Sequence, residues 1–254
     1  MIQYKTAKQI EQMRVSCRAA RAALEELSTA VKPGVTTGEI DALAGELIAK
    51  TGGKSAFLGY HGFPGQICIS VNEEIVHGIG GPRQIRFGDL VKIDMGILLN
   101  GWIGDTATTI AVGDISETDA KLLEVTQESL RLGIEAARPG NRIGDIGHTI
   151  QSYVESFNFG VVREFVGHGL GRKLHEDPQV PNYGRPRTGV KLKPGMVIAI
   201  EPMVTVGSAN IQVLDDNWTV ITRDKSRSAH FEHTIAITPA GAEILTTSPV
   251  ASEA

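Results

Sequence analysis

Cysteine is scarce in this chain: Cys17 and Cys68 are the two among 254 residues. They can build neither a disulfide framework nor a thiolate-rich metal site, and Cys17 falls on a helical apolar stripe, so both are expected as reduced thiols. Long apolar runs are missing as well. No uninterrupted stretch reaches the ~18 residues that cross a bilayer, and Met1 to Thr6 opens polar rather than with a signal core. No membrane association is expected, and the cytoplasm is the expected location. Clusters of Lys and Arg are also absent: 25 basic against 29 acidic side chains give a formal charge of -4. Without the positive footprint that displaces counterions, DNA is not an expected partner. What remains is ordinary globular composition, 41% hydrophobic and 21% charged, with room for a sizeable core. Glycine exceeds the usual ~7%; its 29 residues imply many tight turns.

Helical spacing opens the chain. Thr6 can cap a helix whose residues Ile10, Met13, Cys17, Ala20, Leu24 and Leu27 recur every three or four positions until Pro33-Gly34. A second helix is predicted from about Thr37 to the stop Gly52-Gly53. Between residues 65 and 112 the period changes: Ile67, Ile69 and Val71 alternate, and Leu90, Val91 and Ile93 lead to Asn100-Gly101, a strong hairpin signal. Helical spacing returns from Ser116 to Pro139-Gly140 and again from Ile143 through Phe157 to Gly160, after which strands dominate.

This order is duplicated. Pro33-Gly34 to Glu39-Ile40 matches Pro139-Gly140 to Asp145-Ile146 as P-G-x-x-x-G-[DE]-I, at an offset of 106. At an offset of 107, Gly88-Asp89-Leu90-Val91-Lys92-Ile93-Asp94 overlays Gly195-Met196-Val197-Ile198-Ala199-Ile200-Glu201, both ending in a carboxylate. Two matches in one order point to an internal repeat. The chain is expected to be a single domain, with halves at about 1–112 and 113–245 and a tail at 246–254.

The acids carry the chemistry. If Asn100-Gly101 is a two-residue loop, opposed residues have numbers summing to 201, so Asp105 faces Gly96 and Asp94 faces Ala107. Asp94 and Asp105 then share one sheet face as diagonal neighbours, with space for a cation between them. Glu201 ends an apolar strand before Pro202, and Glu232 lies in the strand pattern Phe231 to Ile235. Four carboxylates at apolar positions repel one another unless they share a positive charge, and no basic cluster lies near them in sequence. Imidazoles join the set. His77-Gly78-Ile79-Gly80 and His168-Gly169-Leu170-Gly171 repeat an H-G-x-G phrase, and His175 follows, whereas His61, His148, His230 and His233 are expected as ordinary core or surface residues. Such an oxygen-rich set suits two divalent ions, Mn, Fe(II), Co or Zn, and metal-assisted hydrolysis.

The motifs Val71-Asn72-Glu73-Glu74-Ile75-Val76-His77-Gly78, Ile93-Asp94 with Gly104-Asp105-Thr106, Gly167 to Gly171, Ile200-Glu201-Pro202-Met203 and Glu232-His233-Thr234 make the chain resemble a type I methionine aminopeptidase over nearly its whole length. The resemblance implies an α+β pita-bread fold: two pseudo-symmetric halves, each with two helices packed on antiparallel strands of one curved sheet. It implies that Asp94 chelates one metal, that His168 and Glu201 chelate the other, and that Asp105 and Glu232 bridge. Glu201 would be the general base, His77 and His175 would flank the scissile amide, and Tyr60, Phe63, Cys68 and Trp218 would line the methionine pocket with those histidines. The implied substrates are N-terminal methionyl peptides and nascent chains with a small second residue, cleaved by a monomer. Family members act near the ribosome exit, yet no basic patch here locates such a contact. Gly96 stands where the family often has threonine, and Leu174 where an aromatic is common.

Other readings explain less. Prolidases and Xaa-Pro aminopeptidases of the same fold usually carry an extra N-terminal domain for which this chain has no room. The 31-residue step from Glu201 to Glu232 is too short for the type II helical insertion. A non-catalytic pita-bread binding protein would have lost ligands that are all present. Gly53-Lys54-Ser55 resembles the end of a phosphate loop, but Ile48 stands where that loop needs glycine.

Overall fold

Side-chain caps set where the helices begin in the computed structural model, which describes residues 1–248. Thr6 and Gln9 form a reciprocal capping box at α1 (Ala7–Ser28), and Thr36 and Glu39 form another at α2 (Thr37–Lys50). Ser116 Oγ accepts from the Asp119 amide to open α3 (Glu117–Ala136). At the head of α4 (Ile143–Glu155), Asp145 accepts from the Arg142 amide. Helix α4 stops short of Phe157, which packs against the core from beyond the helix end.

The strands before α3 are β1 (Lys54–Ser55), β2 (Cys68–Val71), β3 (Glu74–Val76), β4 (Leu90–Leu99) and β5 (Trp102–Ala111). After α4 come β6 (Gly160–Val161), β7 (Gly167–Gly169), β8 (Glu176–Val180), β9 (Val197–Ile200) and β10 (Met203–Thr205). The remainder are β11 (Ile211–Val213), β12 (Val220–Thr222), β13 (Ser228–His230), β14 (Glu232–Thr238) and β15 (Gly241–Ile244). Nine of them form one antiparallel sheet in the order β1-β4-β5-β14-β9-β7-β8, with β2 beside β4 and β15 beside β14.

The sheet has its seam where β5 meets β14, and similar units flank it. Hairpin β4-β5 packs its helix-facing residues Val91, Ile93, Met95 and Ile97 with α1 and α2; Ile198, Ile200, Ile235 and Ile237 of β9 and β14 pack with α3 and α4. The duplicated phrases occupy equivalent places. Gly34 N donates to Ile85 O as Gly140 N donates to Leu192 O, and Ile85 N donates to Val35 O as Leu192 N donates to Asn141 O. Gly34 and Gly140 have φ of +90° and +95°, a turn that L side chains resist.

Strand alternation positions the acids. In β4, with Ile93 and Met95 committed to the α1/α2 core, Asp94 must face the other side of the sheet. The β4-β5 register is unbroken from Leu90↔Ala111 to Leu99↔Trp102 and includes Asp94↔Ala107 and Gly96↔Asp105, as the two-residue turn requires. In β9, Ile198 and Ile200 belong to the α3/α4 core, whereas Val197 and Ala199 belong to the cluster that includes the cavity-lining Phe63, Cys68 and Leu174; Glu201 continues the latter face.

Helix α1 lies directly on β5. A Cβ on Gly104 would run into the backbone of Ser16 and Cys17, which cannot give way as a flexible side chain would. Gly104→Ala is therefore expected to lower stability by about 1–3 kcal/mol or more through overpacking, read as a lower denaturant midpoint with an unchanged slope.

Candidate metal centre and substrate pocket

The face opposite the helices opens into a cavity of about 260 Å³. Asp94, Asp105, His168, Glu201 and Glu232 line it, as do Tyr60, Phe63, Cys68, His77, His175 and Trp218, so every candidate residue from the sequence shares one space. Ligand atoms of Asp105, His168 and Glu232 lie within 4.8 Å of one another.

Hydroxyl groups of the acidic motifs fasten the seam beneath this cluster. Thr234 Oγ1 donates to Asp105 O at 2.7 Å, and Thr106 Oγ1 donates to Glu232 O at 3.1 Å. On the other side Asn182, fully buried, donates from Nδ2 to Glu201 O at 3.0 Å. The H-G phrases have a steric basis: a Cβ on Gly78 would strike Ile69 O, and one on Gly169 would strike Asp177 O.

The electrostatics are lopsided. Burial raises the carboxyls of Asp94, Glu201 and Glu232 well above their usual range, and the other acids add to the shift. Burial likewise pushes Asp105 up to about 7, opposed by the Thr106 amide. Asp94 Oδ1, Asp105 Oδ1 and Glu232 Oε1 are buried without a hydrogen-bond partner. Among the described residues no Lys or Arg pairs with these acids; the buried Lys92 donates to Asn72 O and Ser228 O instead. His168 adds a lone pair rather than a charge. Its Nδ1 donates to Gly169 O at 3.0 Å, which leaves Nε2 unprotonated 3.5 Å from Glu201 Oε1 and 3.8 Å from Asp105 Oδ2. Orphaned oxygens and an imidazole lone pair converging in a buried pocket are the donor set that divalent ions fit.

Next to the acids the wall is apolar. Phe63 meets Trp218 edge-on at 5.1 Å, and Asp216 braces the Trp218 loop by accepting from the Trp218 and Thr219 amides at 2.9 and 2.8 Å. His77, at φ +59°, stands edge-on to Phe165. Burial lowers its pKa to about 4, with His175 adding to the shift, and His175 is lowered by its own burial and by His61. Both rings are neutral near pH 7. Tyr60 Oη is 2.7 Å from His175 Nδ1, and the His168 and His175 rings are 4.2 Å apart.

Sequence reasoning missed Phe57, Phe165, Met203, Asn182 and His230. The first three line the cavity. His230, only 1% exposed, points Nε2 at Glu201 Oε2 from 3.8 Å. Of the remaining histidines, His148 is exposed on α4, and His233 pairs with Thr246 at 2.8 Å, outside the acid cluster.

With this geometry in view, similarity to known proteins is informative. The model of metallopeptidase family M24 matches residues 11–239. Methionine aminopeptidase 1 of Bacillus subtilis is 54% identical over 246 residues, covering 97% of this chain and 99% of that protein. The crystal structure of methionine aminopeptidase from Thermotoga maritima is 47% identical, with a TM-score of 0.96, covering 98% of this chain and 100% of that one. The prolidase from Pyrococcus furiosus, at 26% identity and a TM-score of 0.79, covers 96% of this chain, which in turn spans 65% of the prolidase. The chain belongs to metallopeptidase family M24, whose pita-bread fold it has, and within that family to the methionine aminopeptidases. It is a hydrolase.

Gly96, the departure from the family pattern beside Asp94, has a local cause. A Cβ there would lie 2.6 Å from Phe57 Cε1 and 3.1 Å from Ala56 Cβ, so the Phe57 ring takes the space a threonine would need. Gly96→Thr is expected to cost about 1–3 kcal/mol in chemical denaturation and to displace Phe57 from the cavity wall in a crystal structure of the variant.

Proposed function

We propose that this cavity hydrolyses the bond after an N-terminal methionine, in peptides and nascent chains with a small second residue, using two divalent ions. The observation that carries the reading is the burial of four mutually repelling carboxyls around an imidazole lone pair with no basic side chain among the described residues to neutralise them. Asp94 would hold one ion and His168 with Glu201 the other, with Asp105 and Glu232 as ligands shared between them. Bound there, the ions supply Lewis-acid polarisation of the carbonyl and a water acidified towards neutrality. Mn, Fe(II), Co and Zn all suit the donor set.

The remaining steps belong to the chain. Glu201 takes a proton from the attacking water and returns it to the leaving amine as the C–N bond breaks, releasing free methionine and a shortened peptide. With the Tyr60 phenol donating to His175 Nδ1, the ring proton sits on Nε2, ready to donate to the scissile carbonyl oxygen, and neutral His77 attends the amide nitrogen. Phe63, Trp218, Tyr60 and Cys68 offer the thioether an apolar, polarisable wall. We place the activity in the cytoplasm and in a monomer. No described helix is long and apolar enough to cross a membrane, and both cysteines are free.

Asp94→Ala or His168→Ala is expected to abolish methionine release from Met-Gly-Met while leaving the circular dichroism spectrum native, because each removes a ligand. Chelation should silence the unmodified protein, and Mn, Fe(II), Co or Zn should restore it. Normal turnover by either variant would remove the assignment. In the same assay Met-Leu-Met should show kcat/KM at least ~10-fold below Met-Gly-Met, since the extra side chain must fit beside the catalytic histidines.

A further inference from the structure

His230 belongs to no sequence motif that carries chemistry, yet it sits against the candidate base. Strand β13 fixes it firmly: its amide donates to Thr109 Oγ1 at 2.9 Å, its carbonyl accepts from that hydroxyl at 2.7 Å, and it pairs with Met203 of β10. The ring is buried, and neither Nδ1 nor Nε2 has a hydrogen-bond partner. A buried imidazole with both nitrogens idle is rare and calls for a role. An imidazole in its neutral form carries one N–H and one lone pair.

The two oxygens of Glu201 have different neighbours. Oε1 lies 3.5 Å from His168 Nε2, and Oε2 lies 3.8 Å from His230 Nε2. His168 cannot donate to Oε1, because its proton is engaged with Gly169 O. His230 has no such engagement. The terminal torsion of a glutamate is soft, so a small turn of the carboxyl closes 3.8 Å to a hydrogen bond.

We infer that His230 is a positioning residue for Glu201, donating from Nε2–H to Oε2 so that Oε1, beside His168, is the oxygen presented to a metal ion. This rests on the metal reading proposed above. The bond divides the work of one carboxyl: one oxygen binds, and the other stays oriented for the proton. Without it the carboxyl can swing or engage an ion with both oxygens, and both affinity and turnover suffer.

The test compares His230→Leu, which removes the donor, with His230→Gln, whose amide restores one; His230→Phe replaces the leucine variant should that fail to fold. Mn2+ is titrated calorimetrically into each metal-stripped protein, and Met-Gly-Met kinetics are measured at saturating Mn2+. The expected result for the leucine variant is Mn2+ binding and kcat each weakened ~10–100-fold, as for loss of a partner that orients a ligand. KM should stay within about twofold, and glutamine should recover most of both losses. Wild-type Mn2+ affinity in the leucine variant overturns the inference. So does an equal loss in the leucine and glutamine variants, which marks ring shape rather than a donated bond. The Mn2+ titration needs no substrate, so its outcome is separable from the methionine reading, which fails instead if the metal-loaded wild type leaves Met-Gly-Met intact.

Discussion

Four carboxyl groups held together out of water are the constraint on which the rest of this molecule turns. Burial raises all four, neighbouring acids raise Asp94, Glu201 and Glu232 further, and three have an oxygen with no partner at all. Such an arrangement opposes folding and persists only where the surrounding structure over-determines it. Here that determination is visible. Asp94 and Asp105 are locked by a ten-pair hairpin register, and the seam beside Asp105 and Glu232 is tied by threonine hydroxyls to facing carbonyls. Glu201 extends a strand whose alternate residues are anchored in the α3/α4 core. None of the acids lies on a mobile tether, which is how a site keeps its geometry before any ion arrives.

The duplication explains why the site lies where it does. Each half contributes a pair of acids from an equivalent hairpin or strand pair, Asp94 with Asp105 and Glu201 with Glu232, and the pairs meet because β5 and β14 join at the centre of the sheet. Neither half alone could gather four. The imidazoles that complete the pocket come from loops and short strands that glycine lets run unusually close to their neighbours, at Gly78 and Gly169.

How much of this the sequence discloses depends on the range of the interaction. The Asn100-Gly101 turn dictates a two-residue loop, and from it the facing of Asp94 and Asp105 follows by counting, since no bulge intervenes. Helix starts at Thr6 and Ser116 are legible because capping is local. The meeting of Glu201 with Asp105 is a different matter: it depends on β5 pairing with β14 more than a hundred residues away, and here family motifs supplied what periodicity could not. Phe57, Asn182 and His230 carry no periodic or spacing signal, because each is a single side chain whose meaning comes from what a distant strand places beside it. The glycine at position 96 reads as a missing hydroxyl in sequence and as room for a phenyl ring in structure.

Cys68 illustrates a further property of the pocket. It lines the cavity and pairs across the strands with Asp94, so a thiol there invites comparison with reactive cysteines. Its surroundings do the opposite of activating it: burial first, then the charges of Asp94 and Asp105, hold the sulfur in its protonated form. Alkylation and oxidation proceed through the thiolate. Burial, with the neighbouring acids adding to it, therefore leaves this sulfur chemically quiet.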